Sequence, residues 1–221
     1  MFTDIFLTDR PLKKIAMKYI KIVAFDCDGV MFDTTESNTA YYNQILDHFS
    51  RPALTAEQFA YCHSHTADHA IANLFNDEEG YRAAQAYRKS MSYIPFLKHM
   101  EMEPYLKPLI EMLRPRYKTA VATNRSDTMD RVISEHGLEG YFDLIVCSSD
   151  VNHPKPYPDL LIKIIEHFRI EPHNSIYVGD SELDEIAAKA AGMPFVAYKN
   201  QSLSADFHIQ SLKQITEILG I

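Results

Sequence analysis

The sequence predicts an α/β protein: a doubly wound, Rossmann-like parallel sheet with a helical domain inserted after the first strand. Short apolar runs recur along the chain, each ends in polar residues, and helical patterns stand between most of them. A run that is apolar at every position suits a strand buried on both faces, as in parallel sheets covered by helices. Strands alternating with helices point to an open α/β sheet rather than a sandwich or a bundle.

The first run is KIVAF at 21–25, followed by DCDG. KTAVA at 118–122 leads into Thr123 and Asn124, and DLIVC at 143–147 leads into Ser148, Ser149 and Asp150. SIYV at 175–178 precedes Gly179 and Asp180, and PFVAY at 194–198 is the fifth run. Helices are expected over 126–136, where Met129, Val132 and Ile133 share a face and Gly137 can cap the end, and over 160–168. The alanine-rich stretch 182–191, closed by Gly192, can lie close against a sheet. The long stretch between the first two runs carries no convincing strand. Three helical segments are expected there, over 34–49, 55–75 and 77–93, with a capping-box pattern at Thr55 and Gln58. The predicted organisation is an N-terminal arm over 1–20 (or a true start at Met17), a core formed by 21–33 and 99–221, and a helical cap over 34–98.

Bulk properties exclude several classes. A chain of 221 residues with 46% apolar and 24% charged residues can bury a core without staples. A formal charge of -8 argues against a nucleic-acid partner, which needs clustered Lys and Arg. No stretch is long and apolar enough to span a membrane, and Asp4, Asp9, Arg10 and Lys13 break up any signal-peptide core. Three scattered cysteines, Cys27, Cys62 and Cys147, form no disulfide or metal pattern, so a reducing cytoplasm is expected.

In open α/β sheets ligands bind beyond the carboxyl ends of the strands, where this chain is most polar. Asp26 and Asp28 stand two apart at such an end, and period-two alternation puts both carboxylates on one side. Adjacent carboxylates repel unless a cation neutralises them or one holds a proton. Hard oxygen donors suit Mg²⁺, which also takes a substrate phosphate oxygen. Gly29 permits a turn or the close approach of a ligand.

Four segments in chain order resemble the motifs of the haloacid dehalogenase superfamily, in its capped phosphatase branch: FDCDGVMFD at 25–33, VATN at 121–124, KPYPD at 155–159 and GDSELD at 179–184. The resemblance runs from about Tyr19 to the C-terminus and is similar in flavour to phosphoglycolate phosphatase. It implies that Asp26 is the nucleophile and that Asp28 is general acid and then base. It implies that Thr123, Asn124, Gly29 and Lys155 hold the phosphoryl group, Lys155 also steadying the nucleophile. Asp26, Asp180 and the Asp28 carbonyl would ligate Mg²⁺, with Asp184 orienting a metal-bound water. Protonation of Asp28 is expected to be favoured by its negative neighbours. An acid at position 28 suits an oxygen leaving group rather than a halide. The implied activity is hydrolysis of a small phosphorylated metabolite. A phosphomutase similar to β-phosphoglucomutase shares the motifs, and a regulatory protein with idle chemistry is disfavoured because every catalytic position is filled.

Other residues give weaker indications. Cys27 should face away from the acids and pack. His63, His65 and His69, with Asp68, have spacings that suit either a second metal or exposed helical positions. Residues 63–66 are a candidate loop reaching toward substrate. Arg125 suits either substrate contact or the surface, and Tyr41 and Tyr42 suit helix packing.

Overall fold

In the computed structural model, which describes residues 19–221, strand β1 (Ile22–Phe25) lies mid-sheet between two parallel neighbours. On one side are β4 (Lys118–Thr123) and then β5 (Leu144–Cys147); on the other are β6 (Ser175–Gly179), β7 (Phe195–Tyr198) and β8 (Phe207–Ile209). Every pairing in this six-stranded sheet is parallel. The chain builds outward from one edge of β1 and then crosses to the other, so a topological switch point falls at the end of β1. The arm expected over 1–20, with Met17, lies outside the described residues except for Tyr19 and Ile20.

Burial follows from the alternation along β1. Val23, Phe25 and Cys27 join one apolar cluster, whereas Ile22 and Ala24 join a second on the opposite face. Cys27 is fully buried in packing, as expected. Among the helices covering the sheet are α7 (Met129–Glu135), α8 (Asp159–Phe168) and α9 (Glu182–Ala191). The third begins on a Ser181 capping box and ends at Gly192, whose φ of +70° is the left-handed conformation a helix C-cap favours.

Five helices fill the insert: α1 (Thr35–His48), α2 (Ala56–Ser64), α3 (Ala67–Leu74), α4 (Glu78–Ser90) and α5 (Ile94–Leu97). The single helix expected over 55–75 is two. His65 is extended at ψ 168°, and the Thr66 hydroxyl accepts a bond from the His69 amide, which starts a new helix. The Thr55–Gln58 capping box is present. Entry to and exit from the insert run side by side as β2 (Phe32–Asp33) and β3 (Glu101–Met102), an antiparallel pair too short to show any sequence period. One apolar cluster continues from Val23 and Phe25 of the sheet into Ile45, Ile71 and Phe96 of the insert.

Candidate active site

Sheet register assembles the site. Phe25 lies opposite Val121 on one side and Val178 on the other. The next residues along the three strands are therefore Asp26, Ala122–Thr123 and Gly179–Asp180, all emerging at one level. Asp26 is buried, and its Oδ1 accepts from the Cys27 amide at 2.7 Å and from Lys155 Nζ at 2.8 Å.

Lys155 is the centre of the charge network. Its ammonium, 2% exposed, also reaches Asp184 Oδ1 at 2.7 Å and the Tyr177 hydroxyl at 3.0 Å. Burial would lower its pKa, but Asp184 and Asp26 outweigh burial and keep it charged well past its ordinary range. Asn124 fixes the lysine's backbone with a reciprocal pair: Nδ2 donates to the Lys155 carbonyl at 3.0 Å, and its Oδ1 accepts from the Lys155 amide at 2.9 Å. The same Nδ2 lies 3.2 Å from the Ser64 carbonyl, so motif residues of the core touch the insert directly.

Asp26, Asp180 and Asp184 place carboxylate oxygens within 4.8 Å of one another. Burial pushes the Asp180 carboxyl well above its ordinary range, and the neighbouring Asp184 and Asp26 charges add to the effect. Burial likewise raises Asp26 despite Lys155. Such a set of hard oxygens, strained by mutual repulsion, is relieved by a cation and fits Mg²⁺. Asp184 differs from the other two. Its Oδ1 takes Lys155 and Tyr177, while its Oδ2 takes the Ser181 amide, the Ser181 hydroxyl and the Asp180 amide, and these contacts hold it below the usual carboxylate range against burial. Two glycines make this arrangement possible. A Cβ on Gly29, at φ +83°, would stand 2.1 Å from Asp180 Oδ2, and one on Gly179 would stand 2.4 Å from the Asp184 Cβ.

Asp28 departs from expectation. Strand β1 ends at Phe25, so alternation no longer orients the acids, and the Asp28 carboxylate joins Arg125 rather than the carboxylate set. Burial works to raise its pKa, but the Arg125 guanidinium overrides burial and holds the carboxyl below its ordinary value. The expected upward shift from negative neighbours is thus corrected: the dominant neighbour is positive. The Thr123 hydroxyl accepts from the Arg125 amide at 3.1 Å, tying this turn together.

A cavity between core and insert is lined by Asp26, Asp28, Thr123, Asn124 and Arg125 from below and by His63, Ser64, His65, Tyr41 and Tyr93 from above. Residues 63–65 therefore do border the site. The histidines do not converge on a metal position: His63 lies 3.3 Å from Asn38 Nδ2, and His65 stacks on Tyr61. Sequence reasoning missed Tyr177, Asn38 and Tyr93, which read as ordinary strand or helix residues, and left Arg125 between two roles.

Three carboxylates and a buried lysine thus meet at the switch point of a parallel α/β sheet. The haloacid dehalogenase-like hydrolase family model matches residues 23–198, and the chain belongs to that family. The chain is 28% identical to a phosphoglycolate phosphatase from Chromobacterium violaceum and 26% identical to the pyrophosphatase PpaX from Bacillus velezensis, covering 92% of this chain and 98% of each relative. A HAD-superfamily hydrolase of subfamily IA, variant 1, from Geobacter sulfurreducens shares 37% identity and superposes at a TM-score of 0.75, over 91% of this chain and 97% of the other. β-Phosphoglucomutase from Clostridium difficile, at 18% identity and TM-score 0.79 over 91% and 97% of the two chains, shares the fold.

Proposed function

We propose that the protein is a Mg²⁺-dependent phosphatase that hydrolyses a small phosphate monoester through an aspartyl-phosphate on Asp26. The observation that carries this reading is the Lys155 ammonium held between Asp26 and Asp184, at 2.8 and 2.7 Å. It fixes one oxygen of Asp26 and sets a permanent positive charge where a phosphoryl group would gain charge during transfer.

Asp26 attacks phosphorus and takes up the phosphoryl group, and the ester oxygen leaves with a proton delivered from Asp28. Asp28 then accepts a proton from the water that splits the acyl phosphate, which frees phosphate and restores Asp26. Before it can deliver that proton, Asp28 must let go of Arg125 and take up a proton from water. Thr123 and Asn124 flank the phosphoryl position, Asn124 by fixing the Lys155 backbone and the Thr123 hydroxyl as a donor. Asp26, Asp180 and the Asp28 carbonyl would hold Mg²⁺, with Asp184 orienting from behind; the ion supplies charge neutralisation for the phosphoryl oxygens. Residues 34–98 serve as a cap whose closure excludes bulk water. The relatives named for phosphoglycolate and pyrophosphate point to a compact substrate of the same kind. The buried cysteines are free thiols, which suits work in the cytoplasm, and among the described residues no helix is long and apolar enough to cross a membrane.

The test is phosphate release from a panel of phosphorylated metabolites, with and without Mg²⁺, for the wild type and Asp26→Asn. Metal-dependent release that Asp26→Asn abolishes is expected, with no isomerisation of sugar phosphates. Full activity in Asp26→Asn would refute the covalent route, and unchanged turnover after exhaustive chelation would refute the metal site.

A further inference from the structure

Lys155 commits all of its N–H groups in the resting site. An ammonium has three donors and no acceptor. They go to Asp26 Oδ1 at 2.8 Å, Asp184 Oδ1 at 2.7 Å and the Tyr177 hydroxyl at 3.0 Å. Each acceptor stands on a different element: the end of β1, the first turn of α9 and the middle of β6. Two points of attachment leave the ammonium free to swing about the line between them, and a third removes that freedom.

The third point is a phenol that packing does not require. Tyr177 is fully buried, and its ring joins the apolar cluster of Ala122, Leu160 and Phe195, a space that phenylalanine would also fill. A hydroxyl in such a core costs free energy unless it is hydrogen-bonded. This one accepts from Lys155, and its single proton has two acceptors in reach, the Ala122 carbonyl at 2.9 Å and Asp184 Oδ1 at 2.8 Å. The Ala122 carbonyl belongs to the peptide that leads into Thr123. One oxygen thus touches the lysine, the acid behind it and the strand end beside the nucleophile.

We infer that Tyr177 is a positioning residue for phosphoryl transfer, its hydroxyl holding the Lys155 ammonium against Oδ1 of Asp26 so that Oδ2 is left to attack. The inference rests on the phosphatase reading for what Lys155 does, and on geometry alone for what holds it. Oδ1 is already fixed by the Cys27 amide at 2.7 Å, so the lysine and that amide together choose the reacting oxygen. When a lysine N–H turns to a phosphoryl oxygen, the phenol proton keeps Asp184 Oδ1 supplied with a donor. A small misplacement of a group that meets the transferring phosphoryl slows the reaction even where folding is intact.

Tyr177→Phe tests this, because it removes one oxygen and keeps the ring beside Lys155 Nζ, 5.7 Å from its centre. The first readout is the side-chain ammonium spectrum of nitrogen-15-labelled lysine in the protein without substrate, with the Lys155 signal assigned by its loss in Lys155→Arg. The wild type is expected to show a slowly exchanging Lys155 signal with a cross-peak to the Tyr177 hydroxyl. In Tyr177→Phe that signal should shift and exchange faster with water. The second readout is turnover of p-nitrophenyl phosphate with Mg²⁺ in excess, an ester whose leaving group departs without a proton and so reports on the Lys155 end of the site. There kcat should fall about tenfold or more while KM stays within about twofold, as for a contact used in the transition state. A residue serving packing alone would lower the urea midpoint and leave both readouts in place. An unchanged Lys155 signal overturns the inference, as does wild-type kcat in Tyr177→Phe. Should that variant fail to fold, the wild-type spectrum decides, because a Lys155 signal without the cross-peak overturns the contact. Failure of the phosphatase reading shows separately, as absence of phosphate release from every ester by the wild type, while the spectra still report what holds Lys155.

Discussion

Arg125 grips both carboxylate oxygens of Asp28, with Nη2 at 2.5 Å from Oδ1 and Nε at 3.1 Å from Oδ2, and only 7% and 15% of the two side chains remain exposed. This pairing favours the ionised form of Asp28. Burial pushes the Asp28 carboxyl upward, and the guanidinium more than cancels that push. Removing the cation should reverse the balance. In metal-free Arg125→Met, the Asp28 carboxyl is expected to titrate above its ordinary value of 3.8, followed by carbon NMR of the side-chain carboxyl. A midpoint that stays below that value would show that another group controls Asp28.

Gly29 should be the least replaceable residue of the first turn. Alanine there meets two obstacles: a φ of +83°, and a Cβ that would fall 2.1 Å from Asp180 Oδ2. The strained backbone alone costs about 1–3 kcal/mol, and the clash must displace the Asp180 carboxylate. Gly29→Ala is expected to lose Mg²⁺ binding by calorimetry while keeping its far-ultraviolet circular dichroism. Wild-type Mg²⁺ affinity in this variant would show that Asp180 is not held by contact with Gly29.

Much of this site was legible because period and punctuation coincide in the sheet. Continuous apolar runs marked β1, β4, β5, β6 and β7, and their polar ends marked Asp26, Thr123, Asn124 and Asp180. What stayed hidden has physical causes. Strands β2 and β3 have two residues each, too few for a period, and β8 is a three-residue edge strand, half-exposed at Phe207. Helix α6 (Leu106–Leu113) carries Pro108, which reads as a breaker but sits in the first turn, where no amide is needed. The partner of Asp28 was illegible for another reason. Arg125 and Asp28 are 97 residues apart and meet only through β1–β4 register. Tyr177 was hidden likewise, since a tyrosine within an apolar run reads as packing until Lys155 and Asp184 are seen around its hydroxyl.

Lys155 should be as important for stability as for activity. Removing it leaves Asp26 and Asp184 buried without a counter-charge, and breaking a buried ion network in this way typically destabilises by about 3–5 kcal/mol. Lys155→Met is expected to lose stability on that scale in urea unfolding. Lys155→Met combined with Asp184→Asn should recover part of it, because one of the two orphaned charges is gone. A loss below about 1 kcal/mol, the range of an exposed pair, would mean that water reaches the acids.

Away from the site, Asp143 offers a test by pH. Burial raises its pKa, but the Lys118 ammonium at 2.7 Å and the Thr119 amide at 2.9 Å outweigh it and leave the folded-state pKa below the ordinary 3.8. A carboxyl with a depressed folded-state pKa adds stability that is fully present above its unfolded value and is lost as the pH falls through the folded value. Asn at this position keeps the shape without the charge. Asp143→Asn should therefore be less stable than the wild type at pH 7, by about 1 kcal/mol for one hydrogen-bonded charge. The difference should shrink as the pH drops below 3.8, where wild-type Asp143 takes up its proton. Urea unfolding of both proteins between neutral and strongly acidic pH measures this directly. A gap that stays constant across the acid range would assign the loss to packing or geometry at β4 and β5 rather than to the charge.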